Sequence, residues 1–338
     1  GVPKGIVQTH RARSHWATSN AIEMSFNSEC KSLTTTALYS NGTWLMMLPT
    51  LFVGGTLHVM TGFDPKAFVD LVQRERITHT FLVPPQFSAI LSLENLEKDS
   101  FNSLKTILSA GSPLRLDVKE NILTSMSENL FELYGFSEGF ATMLKPHDQR
   151  KKFGSVGTPV LGFEIKIIDE KGNECSPNVA GEIAGYGAGM MKEYYSEVEQ
   201  TNSLIWTDSR GRSFIKSGDI GSLDEDGFLT ILDRKKDMII SGGLNVFPVD
   251  IEEVVGKHPD IVDVTVIGVP HEKWGETCIA LIIPKVGVEI DCDEIKNWSN
   301  EKLAKHQRLF KVETREEFPR NALGKVLKRV LREPYWSQ

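Results

Sequence analysis

Residues 64–85, with the sequence DPKAFVDLVQRERITHTFLVPP, decide the fold class of this chain. The first half predicts a helix over residues 64–76, because Asp64 is a good N-cap and Pro65 fits the first helical position. The second half predicts a strand over residues 77–83, which the two following prolines stop. A helix that leads into a short apolar strand is typical of a parallel sheet covered by helices.

The same alternation continues toward the C-terminus and then changes. It first predicts more of the α/β sheet, as strand 104–109, helix 114–126 and strand 130–134. Alternating segments separated by turns then predict hairpins, and so a small antiparallel or β-barrel region, around 163–169, 181–184 and 228–232. The last part predicts a small α+β domain, with elements over 249–257, 262–269, 277–283 and 293–305. The expected organisation is a large α/β domain over residues 1–235 and a small C-terminal domain over residues 236–338.

The composition is that of an ordinary globular protein. The 338 residues are 40% hydrophobic and 25% charged, and a net charge of −7 argues against a general nucleic-acid binder. The four cysteines are far apart, so neither a zinc site nor a disulfide framework is expected, and a reducing, cytoplasmic compartment fits best. No apolar run reaches transmembrane length. The first residues, GVPKG, lack a methionine and read as the middle of a loop, so the chain is expected to be a fragment.

Tyr134 to Glu138, YGFSE, form the first candidate site. They follow a predicted strand, and open α/β sheets bind ligands where such strands end. The hydroxyl of Ser137 can donate to a phosphate, the carboxylate of Glu138 suits Mg²⁺, and the ring of Tyr134 offers a flat face to a base. The alternative is a plain turn with a solvated glutamate.

Three further segments carry candidate chemistry. Asp219 can accept hydrogen bonds from both hydroxyls of a ribose, although the segment taken alone fits an ordinary Asx turn better. The adjacent Gly242 and Gly243 permit close approach of a ligand to the backbone, or simply form a hairpin turn. Near the C-terminus Lys325 follows a glycine, and its ammonium suits a phosphate or a carboxylate unless this is only a solvated turn.

Taken in order, these segments resemble the adenylate-forming superfamily, which includes acyl-CoA synthetases, adenylation domains of peptide synthetases and beetle luciferases. The matching segments are residues 1–5 (the end of a phosphate loop), 109–114, 134–138, 181–183, 217–219, 232–237 (a hinge motif), 241–245 and 319–325. The resemblance covers the whole chain.

The resemblance implies a two-step reaction. A carboxylate attacks the α-phosphate of Mg·ATP to give an acyl-adenylate, and a thiol, that of coenzyme A, then displaces AMP after rotation of the small domain. It implies catalytic roles for Lys325, Ser137 and Glu138, with Glu138 also the Mg²⁺ ligand. The implied nucleotide-binding residues are Lys4, Ala110, Gly111, Ser112, Tyr134, Gly135, Asp219 and Arg234. Lys236 would be the hinge, and Gly242 and Gly243 would bind coenzyme A.

The acyl pocket implied by the resemblance is apolar and fits a fatty or aryl acid. Its expected residues are Trp44, Met46, Met47, Val83 and Phe136, together with Gly111. Ser40 stands where many acyl-CoA synthetases carry a gating histidine, and the first half of the phosphate loop is absent. These departures put the usual gate in doubt and predict weak AMP binding and poor catalysis by the fragment alone.

We therefore expect an AMP-forming carboxylic acid–CoA ligase that acts on a small-molecule acid in fatty acid metabolism. The resemblance is compatible with a homodimer. Two other hypotheses compete with the ligase. One is an adenylation domain that loads a carrier protein, since Asn41 stands near the position where amino-acid-activating domains often carry an aspartate. The other is a truncated, non-catalytic nucleotide-binding relic. A luciferase-like oxidase is a third option.

Overall fold

The computed structural model describes residues 4–320 and 325–336. The chain divides into two compact units: Gly1–Ser217 with Ser222–Ile231, and Gly218–Gly221 with Leu232–Gln338. Residues 218–221 and 232–235 both precede the expected boundary at 235/236, yet they group with the second unit. The Lys235 N–H donates to the Gly218 carbonyl at 2.9 Å and links these two segments. A functional boundary at 235/236 stays a prediction.

The first unit is built on a seven-stranded sheet. Its strands are β2 (Lys31–Thr34), β3 (Thr56–Val59), β4 (His79–Leu82), β5 (Thr106–Ala110), β6 (Leu130–Gly135), β7 (Ala141–Leu144) and β8 (Thr158–Pro159), in the order β3-β2-β4-β5-β6-β7-β8. The strands from β3 to β6 are parallel, whereas β7 and β8 join as antiparallel partners. Every residue of β4 and β5 is buried, as expected for central strands covered on both faces.

Helices cover this sheet. They are α1 (His10–Glu23), α2 (Asn41–Phe52), α3 (Pro65–Glu75), α4 (Pro84–Leu91) and α5 (Leu116–Ser125), with short 3₁₀ turns at Lys98–Phe101 and Pro146–Asp148. The helix predicted over 64–76 is α3, and the Asp64 side chain caps it by accepting the Ala67 N–H at 2.7 Å. The Pro84-Pro85 pair ends β4 as predicted and begins α4, since proline fits the first turn of a helix. The predicted α/β sheet is therefore confirmed.

The smaller β region also belongs to the first unit for most of its length. A five-stranded sheet has the order β12-β13-β10-β9, with β14 also pairing with β13. Its strands are β9 (Phe163–Ile168), β10 (Gly181–Gly187), β12 (Ile205–Thr207), β13 (Ser213–Leu223) and β14 (Leu229–Arg234), and the short helix α6 (Val198–Ser203) precedes β12. A separate two-stranded ribbon pairs β1 (Ile6–Val7) with β11 (Glu193–Tyr194) in antiparallel fashion.

The second unit is the expected small α+β fold. Its sheet has the order β16-β15-β18-β17, and β19 pairs in parallel with β18. The elements are β15 (Ile239–Ser241), β16 (Leu244–Val246), α7 (Pro248–Val255), β17 (Ile261–His271), β18 (Gly275–Pro284), α8 (Cys292–Asn300), a 3₁₀ turn (Lys305–Gln307), β19 (Leu309–Thr314) and α9 (Lys328–Trp336).

Helix α8 is shorter than the predicted 293–305. It stops at Asn300 because that side chain turns away to bond the backbone of Leu309, accepting its N–H at 2.7 Å and donating to its carbonyl at 3.0 Å. Within the ranges that the structure describes, no helix combines the length and apolar character needed to cross a membrane.

Candidate functional site

The segment YGFSE lies at the carboxyl end of β6, where the sheet changes from parallel to antiparallel pairing. Gly135 is required there by packing, because a Cβ at this position would lie 2.8 Å from the Phe140 carbonyl oxygen. The rings of Tyr134 and Phe136 both pack edge-on against Phe140, with centroid distances of 6.3 and 5.0 Å. The backbone that leads to Ser137 and Glu138 is thus fixed by close contacts.

Strand β5 ends beside this segment. Ala110 is the register partner of Leu133, so Gly111 and Ser112 leave the sheet next to Tyr134. Gly111 has φ +93°, in the left-handed region that favours glycine. The structure therefore brings the predicted residues of the 109–114 and 134–138 segments to one edge of the sheet, where open α/β sheets bind ligands.

Glu138 is held by a tyrosine that was not predicted as a site residue. The Tyr194 hydroxyl donates to Glu138 Oε1 at 2.5 Å, and the Met191 N–H donates to the Glu138 carbonyl at 2.8 Å. Tyr194 is 2% exposed, and burial together with the bond to Glu138 raises the pKa of its hydroxyl. A buried phenol that donates to a carboxylate fixes the direction of that carboxylate.

The ribbon of β1 and β11 supplies this support. Ile6 pairs with Tyr194, Gln8 donates from Nε2 to the Ser137 carbonyl at 2.9 Å, and the Lys4 ammonium lies 4.6 Å from the centroid of the Tyr194 ring. Tyr194 therefore contacts two predicted residues, Lys4 through its ring and Glu138 through its hydroxyl. The remaining phosphate-loop residues, 1–3, lie outside the described residues.

A metal could be held here only with help from a ligand. In the part of the chain that the structure describes, no three His, Cys, Asp or Glu side chains form a metal-binding group. A single carboxylate such as that of Glu138 nevertheless fits Mg²⁺, which commonly binds one or two carboxylates plus substrate phosphates.

The predicted acyl-pocket residues come from three elements at the same edge. Trp44, Met46 and Met47 lie on α2, Val83 is the N-cap of α4, and Phe136 follows β6. Met46 is fully buried on the stripe that also contains Thr43 and Thr50, and Thr50 bonds to Ser32 of β2 at 2.6 Å. Met46 thus belongs to the packing of α2 on the sheet, whereas Trp44 and Met47 are only half-buried.

The second unit holds the other candidate residues. Arg234 donates from Nε to Asp219 Oδ1 at 3.0 Å, which joins two predicted nucleotide-binding residues. Asp219 follows Gly218, whose φ of +73° bends the chain at this point.

Lys325 lies within the electrostatic reach of the same pair. Burial and the charge of Arg234 lower the pKa of the Lys325 ammonium, while Asp219 and Asp237 oppose that change. The structure therefore brings Lys325 together with Asp219 and Arg234, although they are far apart in sequence. Residues 321–324, immediately before Lys325, lie outside the described residues.

The predicted hinge at Lys236 is bound by helix α9. Arg332 donates from Nη1 to the Lys236 carbonyl at 3.0 Å and lies 3.7 Å from Asp237. Just before the hinge, burial raises the pKa of Asp233 to about 6. Lys328, which pairs with Glu252 at 2.7 Å, opposes this rise. Arg332 and Lys328 were not predicted, because their partners Lys236 and Glu252 are far away in the sequence.

Gly242 and Gly243 form the turn between β15 and β16. Their φ angles of +58° and +81° match a two-residue hairpin turn with both central residues left-handed. A Cβ on Gly242 would lie 2.9 Å from the ring of Trp274, whereas Gly243 faces open space. The turn alone thus accounts for both glycines, and their contact with coenzyme A stays a prediction.

Known proteins are similar to this chain in sequence and in fold. The AMP-binding enzyme family matches residues 1–195, and the AMP-binding enzyme C-terminal domain matches residues 250–325. Feruloyl-CoA synthase of Amycolatopsis sp is 31% identical over 332 residues, covering 97% of this chain and 66% of the relative.

Two solved structures have the same fold. ATP-bound MatB from Rhodopseudomonas palustris superposes with a TM-score of 0.91 at 29% identity, covering 98% of this chain and 65% of that one. The o-succinylbenzoate CoA synthetase of Bacillus subtilis, in complex with an acyl-adenylate intermediate, gives 0.88 at 28% identity, covering 98% and 66%. This chain thus spans somewhat less than two thirds of the length of these relatives. Since the AMP-binding model covers more than half of its residues, the chain belongs to the AMP-binding enzyme family.

Proposed function

We propose that this protein is an ATP-dependent carboxylic acid–CoA ligase that acts on a fatty or aryl acid. The observation that carries the proposal is the cluster at the carboxyl end of β6, where Tyr194 orients Glu138 beside Ser137 in a member of the AMP-binding family. Relatives named as a feruloyl-CoA synthase and an o-succinylbenzoate CoA synthetase support an acid as the substrate and coenzyme A as the acceptor.

In the first step, an oxygen of the acid attacks the α-phosphorus of ATP. The new P–O bond gives an acyl-adenylate, and the bond to the bridging oxygen breaks so that pyrophosphate leaves. Two anions must approach each other, so the chain must supply positive charge and fixed hydrogen-bond donors. We assign these roles to the ammonium of Lys325 and the hydroxyl of Ser137.

Several of the predicted residues would hold the nucleotide. Tyr134 would face the adenine beside Ala110, Gly111 and Ser112, and Asp219 with Arg234 would hold the ribose. Lys4 would lie near the phosphates. Mg²⁺, when bound with ATP, would neutralise phosphate charge, and Glu138 would hold it with an orientation set by Tyr194.

In the second step, the thiolate of coenzyme A attacks the acyl carbonyl carbon. A C–S bond forms, the C–O bond to the phosphate breaks, and AMP leaves. We assign Lys236 as the pivot that lets the C-terminal domain serve both steps. The open side of Gly243 would allow the pantetheine arm to pass close to the backbone.

The experiment is pyrophosphate release by the full-length protein across a panel of acids, with and without coenzyme A. We expect acid-dependent release in both cases and thioester only with coenzyme A. Glu138→Gln should abolish most of the release, whereas Glu193→Gln, at a 42% exposed side chain nearby, should not. The proposal would be contradicted if no acid in the panel caused pyrophosphate release, or if Glu138→Gln left the release unchanged. Adenylate without transfer to coenzyme A would favour a carrier protein as the acceptor.

A further inference from the structure

Arg13 of α1 is a half-buried cation at the edge of the candidate acyl pocket. Its Nη1 donates to Asn41 Oδ1 at 2.9 Å, and its guanidinium carbon lies 4.9 Å from the centroid of the Trp44 ring. Trp44 is itself anchored, because its Nε1 donates to the Leu38 carbonyl at 2.8 Å. The guanidinium therefore contacts both an amide oxygen and an aromatic ring.

This arginine has no acidic partner among the residues that the structure describes. It contacts the Asn41 amide and the Trp44 ring, and burial lowers the pKa of the guanidinium. Arg212 of the same unit shows the usual arrangement, since it pairs with both Asp208 and Glu164. A guanidinium has five N–H donors in a fork that matches a carboxylate, and Asn41 occupies only one of them.

The position of Arg13 relative to the sheet follows from α2. Gly42, in the first turn of α2, packs on Phe81 of β4, where a Cβ would lie 2.8 Å from the ring. Arg13 therefore reaches the carboxyl edge of β2 and β4, the same edge at which β5 and β6 present Gly111 and Tyr134. Neighbouring strands are ~4.8 Å apart, so the two places are separated by roughly 10–15 Å across the sheet.

We infer that Arg13, together with Asn41, binds a second carboxylate at the far end of the acid. The substrate class is then a dicarboxylic acid, or an aryl acid with a second carboxylate, rather than a purely apolar acid. This inference rests on the proposed ligase function, and it changes the expected pocket from wholly apolar to one with a charged end.

The test compares matched pairs of acids in the pyrophosphate assay: octanoate with octanedioate, and phenylpropanoate with its ring-carboxylated analogue. We expect the native protein to have a higher kcat/KM for the dicarboxylate of each pair. Arg13→Met, which keeps the apolar stem against Trp44, should lower the ratio of dicarboxylate to monocarboxylate kcat/KM by about 10- to 100-fold, as for loss of a charged hydrogen-bonded pair. Arg11→Met, at an exposed position on the same helix, is the control.

The outcomes separate this inference from the proposed function. Activity with monocarboxylates and no change of the ratio in Arg13→Met would overturn the role of Arg13 and leave the ligase function standing. If no acid causes pyrophosphate release, the ligase proposal fails. The shift of the melting temperature caused by octanedioate then tests whether Arg13 binds a carboxylate. A shift that exceeds that of octanoate and disappears in Arg13→Met would support the site, and equal shifts would reject it.

Discussion

The two units hold their candidate residues by different physical means. At the end of β6 the chain is closely packed: a Cβ on Gly135 would lie 2.8 Å from the Phe140 carbonyl oxygen, and Glu138 accepts a hydrogen bond from one buried phenol. Around the predicted hinge, charges of both signs act on one ammonium instead: in addition to burial, Arg234 and Lys236 lower the pKa of Lys325, and Asp219 and Asp237 raise it.

This difference indicates what each region can do. A packed strand end keeps one geometry and suits the orientation of a carboxylate. Where charges of both signs lie close together, a charged ligand that binds nearby changes the pKa of each group, since like and opposite charges within a few ångströms shift each other's pKa. We therefore expect the second unit to respond to changes of charge and the first to loss of single contacts.

The largest expected effect is at Lys325. Lys325→Ala should slow acyl-adenylate formation by ~100- to 1000-fold, because a donor to the developing charge is lost. Thioester formation from preformed acyl-adenylate should be largely spared, which single-turnover assays of the two halves would measure. Lys257→Ala removes an ammonium from a 68% exposed side chain of the same unit and serves as control. Equal loss in both halves would refute the role.

The residues around Lys325 also show which contacts could not be predicted from the sequence. The end of β6 was predictable from local signals: a short apolar strand, then a glycine, then polar residues. Lys325, Lys328 and Arg332 reach residues 233–237 only through the folded small domain. Periodicity carries no information on that contact, and only the resemblance to a family placed Lys325 near Asp219.

Tyr194 was missed for a related reason. It lies on a strand of two residues, which is too short for an alternation pattern, and its partner strand β1 is equally short. Helix α2 likewise gave no helix prediction, since it contains Pro49 in an apolar run. The fold class was predictable because α3 has a clear N-cap and the apolar strands β4, β5 and β6 are bounded by turn residues.

The next effect concerns the contact at Tyr194. Tyr194→Phe keeps the ring beneath Lys4 but removes the hydrogen bond to Glu138. We expect kcat/KM for Mg·ATP to fall by about 10-fold or more, as for a hydrogen bond to a charged group. The affinity for ATP should change more in Mg²⁺ than in a chelator, which calorimetry would measure. Tyr195→Phe, at a 72% exposed side chain, is the matched control, and identical behaviour of the two variants would argue against orientation by Tyr194.

A smaller effect is expected at the predicted hinge. Lys236→Pro fixes φ, so it should slow thioester formation more than adenylation, by about 10-fold or ~1.4 kcal/mol of barrier. Lys236→Ala retains both the backbone freedom and the carbonyl that accepts from Arg332, and it should leave the ratio of the two half-reactions unchanged. Equal rates of the two halves in the proline variant would remove the hinge assignment.

The smallest net effect is a pH dependence in which the two units oppose each other. In the first unit, burial lowers the pKa of His79 to about 4, and its ring bonds to Thr78 at 2.8 Å and to the Met24 carbonyl at 3.1 Å. Between pH ~6.5 and ~4 the unfolded chain binds a proton at His79 that the folded chain does not, so this unit loses stability as the pH falls.

Asp233 in the second unit has the opposite sign. Its pKa is raised to about 6, so between pH ~3.8 and ~6 the folded chain binds the extra proton, and stability is lost as the pH rises through that window. Each group contributes at most ~1.4 kcal/mol per pH unit, and the two slopes nearly cancel in global unfolding.

Hydrogen exchange, corrected for intrinsic rates, would separate the contributions of His79 and Asp233. Acidification from pH 6.5 to 4.5 should weaken protection around β4 and strengthen it around residue 233. His79→Gln should remove only the first change and Asp233→Asn only the second. Parallel changes in both units would show that their stabilities are coupled and that neither group acts locally.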